Sequence, residues 1–122
     1  MRGQIGIGAL ALAAAGCDGN GVTGVACTQE ARPGLAVTVR DPAGEAVTGA
    51  LVVAREGAYA DTARWMAVVS AGAVYSLAYE RAGTYVVRVE RAGYQPWEQA
   101  RVRVTADECH VRTVALTAAL RR

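Results

Sequence analysis

The stretch Thr84-Tyr85-Val86-Val87-Arg88-Val89-Glu90-Arg91 decides the fold class. Tyr85, Val87 and Val89 fall on one side of a two-residue repeat, and Thr84, Arg88 and Glu90 on the other. Successive side chains of a strand point to opposite faces, so this alternation predicts a strand with one face in a core and one in water. Gly83 and Gly93 bracket the run as turn residues.

The pattern recurs on either side. Leu35, Val37 and Val39 alternate with Ala36, Thr38 and Arg40, and Asp41-Pro42-Ala43-Gly44 follows as a turn. Strands are expected at 51–55 and 74–79, with one more within 58–69, where Asp61 punctuates a weaker stretch. Val102 and Val104 alternate with Arg101, Arg103 and Thr105 in a strand over 98–105. Val114, Leu116 and Leu120 are in phase in a last strand within 111–120. Seven short strands with Gly turns, and no capped run of helical period beyond the N-terminal segment, predict an all-β sandwich whose apolar sets line two inner faces.

Composition sets further bounds. The 122 residues allow one small domain, and the 52 % apolar content excludes bulk disorder. All 13 basic residues are Arg, against 11 acidic, a balance that does not predict nucleic-acid binding, and no nucleic-acid partner is expected. One His and three Cys exclude a Cys₂His₂ zinc site.

The first sixteen residues read as an export signal. Arg2 precedes the uncharged run Ile5 to Ala15, too short to span a bilayer and of signal-peptide length. Ala14-Ala15-Gly16-Cys17 resembles the lipobox of bacterial lipoproteins, which implies cleavage before Cys17 and lipid on its sulfur. The large aliphatic residue usual three positions before the Cys is replaced by Ala14, and cleavage after Ala15 is the alternative reading. The expected organisation is a signal peptide at 1–16, a Gly-rich flexible tether at 17–30 and a domain at 31–122. The expected location is the bacterial cell envelope, lipid-anchored, or alternatively soluble in the periplasm or medium.

Cys17, Cys27 and Cys109 are an odd number. Lipid on Cys17 leaves Cys27 and Cys109 as a pair, and export permits a disulfide between them. Two buried free thiols are the alternative.

Several stations then line up with a family. Gly34 to Asp41, Gly44, Gly49-Ala50 before the next strand, Gly83-Thr84-Tyr85 and Gly93-Tyr94 resemble carboxypeptidase regulatory-like domains in order and spacing. Glu108-Cys109-His110-Val111 resembles a variant in small bacterial lipoproteins. The resemblance implies a prealbumin-like, seven-stranded antiparallel sandwich of Greek-key type. It also implies a non-catalytic module of structural or adhesive duty. Tyr85 is expected to bury its ring and bond its hydroxyl to backbone, as in a tyrosine corner.

No catalytic or metal site is read, and no cofactor. Ser70 and Ser76 lack a nucleophile-elbow setting, and His110 beside Glu108 and Asp107 reads as a solvated strand start. Hydroxyisourate hydrolases share the prealbumin-like fold, but the single His and the ending Leu120-Arg121-Arg122 do not resemble their site. Two sets of residues stand as possible binding groups. Trp65 and Trp97 fit a core or a ligand site. Arg88, Arg101, Arg103 and Arg112 would form an oxyanion-facing stripe if the late strands share a sheet, partly neutralised by Glu90 and Glu98. The functional expectation is a non-enzymatic envelope module contacting protein or glycan. The alternative is a carrier for a small ligand or carbohydrate.

Overall fold

The computed structural model describes residues 26–122. Cys17 and the apolar run before it lie outside these residues. Eight strands follow one another: β1 (Leu35–Arg40), β2 (Leu51–Glu56), β3 (Tyr59–Thr62), β4 (Trp65–Val69), β5 (Gly72–Leu77), β6 (Gly83–Glu90), β7 (Trp97–Val104) and β8 (Val114–Ala119). They form two four-stranded sheets, ordered β4-β5-β1-β8 and β3-β2-β6-β7. The sandwich is all-β among the described residues, as the alternation predicts.

The structure corrects the expectation in two places. The segment 58–69 makes two strands, β3 and β4, in different sheets, so the count is eight rather than seven. The chain changes sheets at Ala63-Arg64, which interrupts a stretch that otherwise reads as one run. The sheets are also not wholly antiparallel: β8 lies parallel to β1, Leu35 opposite Val114 and Val39 opposite Ala118. All other strand pairs are antiparallel.

The core is the alternating apolar set. Leu35, Val37 and Val39 of β1 meet Tyr75 and Leu77 of β5, Tyr85, Val87 and Val89 of β6, and Leu116 and Ala118 of β8. With no Phe in the chain, Tyr fills the bulky positions, and each buried hydroxyl then needs a partner. Tyr85 donates to the Arg81 carbonyl at 2.7 Å. Tyr75 donates to the Val47 carbonyl at 2.8 Å and accepts from the Ala50 amide at 3.0 Å, which pins the β1–β2 connection.

The outward faces differ. Sheet positions on β2, β6 and β7 carry Arg55, Arg88, Glu90, Glu98 and Arg103 outward. Outward positions on β4, β5 and β8 carry no charge. In β7 an extra residue interrupts the ladder: the step from Tyr85 to Val87 faces the step from Val102 to Gln99, and Arg101 there has φ of 56°. Such a bulge bends the strand at this sheet edge.

Candidate functional site

The corner where the chain passes from β3 to β4 forms a cleft. Tyr59, Asp61, Thr62, Arg64, Trp65, Ser76 and Tyr79 line a shallow space of about 290 Å³. Trp65 opens β4, an edge strand, and is 71 % exposed. Across the ladder it faces Ser76 of β5. Tyr79 is also exposed, at the start of the β5–β6 connection.

The cleft has a fixed floor. The Arg81 guanidinium stacks on the Tyr59 ring, 3.7 Å from its centroid, and donates to Glu56 at 2.9 Å. Asp61 accepts the Ala78 amide at 2.8 Å, so one carboxylate oxygen is committed to the fold. Burial, then the Asp61 charge, pushes the Tyr59 hydroxyl above the usual phenol range. That hydroxyl stays a hydrogen-bond donor at neutral pH. Aromatic faces beside a few fixed polar groups suit a flat, hydroxylated ring: apolar C–H faces stack on indole or phenol while the hydroxyls find donors and acceptors.

A second constellation surrounds His110. This residue is buried and bonded at both ring nitrogens, which corrects the expectation of a solvated strand start. Nδ1 donates to Glu80 Oε2 at 2.5 Å, since an ionised carboxylate only accepts. Nε2 lies 2.9 Å from the Thr28 hydroxyl. Glu80 also accepts the amides of Arg32 at 3.0 Å and Val111 at 3.1 Å. The His110 bond, then the Arg32 amide, holds the Glu80 carboxyl below its ordinary range. Asp107 likewise accepts the His110 and Cys109 amides, and its carboxyl is lowered by them.

The Cys27–Cys109 disulfide stands beside this group, with Cα atoms 5.2 Å apart. Of the stretch read as a tether, Cys27 and Thr28 are thus both fastened to the domain. The order hydroxyl, imidazole, carboxylate is that of a hydrolytic triad. Here, however, the carboxylate is shared with two backbone amides, and the bonds join three chain segments. The arrangement is a clamp closing the lower end of the sandwich. Sequence reading looked for a hydroxyl partner at Ser70 or Ser76 and missed Thr28. Separations of 82 residues to Thr28 and 30 to Glu80 leave no local signal.

Glu80 is placed at a backbone cost. Ala78 and Glu80 both have positive φ, 57° and 51°, a region non-glycine residues rarely occupy. The surrounding bonds over-determine the turn: the Gly34 amide donates to the Ala78 carbonyl, and the Glu80 amide to that of Arg32, both at 2.9 Å.

The remaining candidates disperse. Trp97 is half-buried and packs on the core. Arg88 and Arg103 lie outward on one sheet, but Arg88 is occupied by Glu90 at 2.5 Å and Glu98 at 3.1 Å. Arg101 sits at the β7 bulge. Arg112 lies outside the strands, between β7 and β8, where its amide donates to Thr105. The four do not line one strand face, since Arg101 stands at the bulge and Arg112 lies beyond the strands. Among the described residues, no three His, Cys, Asp or Glu side chains are grouped to hold a metal ion. No described helix is long and apolar enough to cross a membrane.

A family model, the carboxypeptidase regulatory-like domain, matches residues 34–118. The chain belongs to this family. The match begins at Gly34, which docks on Ala78, and runs from β1 into β8, ending one residue short of that strand's end. Carboxypeptidase regulatory-like domains are non-catalytic modules, and the tyrosine corner at Tyr85 and the turn glycines are features of this domain's scaffold. No curated protein and no solved structure matches the chain.

Proposed function

We propose that this carboxypeptidase regulatory-like domain is a non-enzymatic glycan-binding module of the bacterial cell envelope, anchored through lipid on Cys17. The observation that carries the binding role is Trp65: a large indole, 71 % exposed, at the mouth of a cleft with Tyr59, Tyr79 and fixed polar groups. Leaving that much apolar surface in water is unfavourable by about 25 cal/mol per Å², so a partner that covers it gains that term. The anchor rests on the sequence around Cys17. A disulfide at Cys27–Cys109 suits an oxidising compartment outside the cytosol.

The test is a titration of the purified protein with soluble muropeptides and chito-oligosaccharides, read by tryptophan fluorescence. Saturable quenching that Trp65→Ala removes and Trp97→Ala retains supports the reading. Unchanged fluorescence with both probe sets overturns the glycan assignment. Intact mass from the membrane fraction, beside a Cys17→Ser control, tests the anchor separately.

A further inference from the structure

Two of the four sheet edges carry a feature that blunts further pairing. Edge β3 carries Asp61. Edge β7 has a bulge and the charges of Glu98, Arg101 and Arg103. These are devices by which soluble proteins keep edges from pairing. Edges β4 and β8 have neither charge nor Pro nor bulge, but β8 is half-buried, and β4, Trp65-Met66-Ala67-Val68-Val69, is the exposed one. All five residues are exposed, Val68 at 61 % and Val69 at 48 %.

We propose that β4 is a self-association edge, pairing antiparallel with β4 of a second copy about a two-fold axis at Ala67. The sequence is complementary to itself in this register. Trp65 stands opposite Val69, and Met66 opposite Val68, so each β-branched residue meets a large apolar side chain. The faces match too. Met66 and Val68 lie on the inward side with Tyr75 and Ala73, and Trp65 and Val69 on the outward side with Ser76 and Gly72.

Charge selects the direction. Arg64 directly precedes β4. Parallel in-register pairing would set two Arg64 side chains about 5 Å apart, one strand spacing. The antiparallel register separates them by six residues, about 20 Å, well beyond the screening length of about 8 Å in physiological salt. A two-fold pairing is closed and gives a dimer, not a fibre. Five paired residues bury less than the roughly 1,200 Å² of a standard stable interface, so the dimer is weak, with dissociation in the micromolar range.

The edge shares Trp65 with the glycan reading, and Val68, which does not line the cleft, lets the two be tested apart. Sedimentation velocity on the purified protein, from about 1 to 300 µM, covers the range in which so small an interface associates. The expected result is a monomer–dimer transition that Val68→Lys and Val69→Lys each shift at least about tenfold to higher concentration, roughly 1.4 kcal/mol. Leu51→Lys, exposed on the outer face of the other sheet, leaves it unchanged. Thermal melts of each variant confirm folding. Ala67→Cys, oxidised, should trap a covalent dimer through the residue on the axis. A protein that stays monomeric throughout overturns the proposal. So does a dimer indifferent to both Lys variants, or one also lost in Leu51→Lys. Hydrogen exchange showing protection, in the monomer, of the β4 amides that point away from β5 overturns it too, since another segment would then cover the edge.

Discussion

The Tyr85 hydroxyl donates to the carbonyl of Arg81, four residues earlier, and the Arg81 guanidinium returns a bond to the same oxygen at 3.1 Å. This reciprocal pair ties the entry of β6 to its own turn. It also aims Arg81 at the Tyr59 ring on the cleft floor. Core, turn and cleft are therefore mechanically one unit. Tyr85→Phe keeps the ring but leaves the Arg81 carbonyl unpaired. The expected loss is about 1–2 kcal/mol in urea unfolding, with unchanged slope.

Gly34 packs where no side chain fits. A Cβ there would lie 2.6 Å from the Ala78 carbonyl oxygen, which is backbone and cannot swing aside. The same glycine bonds Ala78 and Val114 through its amide and carbonyl. Gly34→Ala should cost about 1–3 kcal/mol, the range of an overpacked core. A melting temperature equal to wild type would refute the contact.

The two tryptophans should separate cleanly. Trp65→Ala removes an exposed side chain, and its stability should stay within about 0.5 kcal/mol of wild type. Trp97→Ala opens a gap against the core and should cost about 2 kcal/mol or more. Denaturant midpoints of the two variants decide this.

Acid should act through the clamp. Glu80 and Asp107 are held below their ordinary values of 4.5 and 3.8 by bonds to their charged forms. A carboxylate so depressed adds stability above the unfolded pKa, and loses it as pH falls through the lower folded value. The contribution of these two carboxylates should therefore be constant above about pH 5 and decline below it. Glu80→Gln should lower the plateau and flatten the acid limb. An unchanged acid limb, followed by melting temperature against pH, would exclude Glu80 as a source.

How much of this was legible in the sequence follows from the range of each interaction. The period-two pattern around Tyr85, Val87 and Val89 is local, and it placed the strand and its inner face correctly. The Cys27–Cys109 disulfide was one of two readings in the sequence, and choosing it over two free thiols depended on setting Cys17 aside. The split at Ala63-Arg64 was hidden, since four- and five-residue strands of mixed character carry little periodicity. Trp65 was open between core and ligand site, because hydrophobicity does not tell whether the opposite sheet reaches far enough to cover β4. The His110 clamp depends on three distant segments and on two residues in unusual backbone conformations, which no short pattern encodes.

The Cys27–Cys109 bond has one more consequence. It spans 82 positions and encloses β1 to β7 in a covalent ring. Tension applied between the ends of the chain enters the ring at Cys27 and leaves at Cys109 without crossing those strands. On the C-terminal side of the ring, the thirteen residues from His110 to Arg122 can then lengthen, by at most about 3.5 Å each. The described domain behaves under load as a short inextensible link with a brief elastic tail, and reduction of the bond would turn that link into a spring.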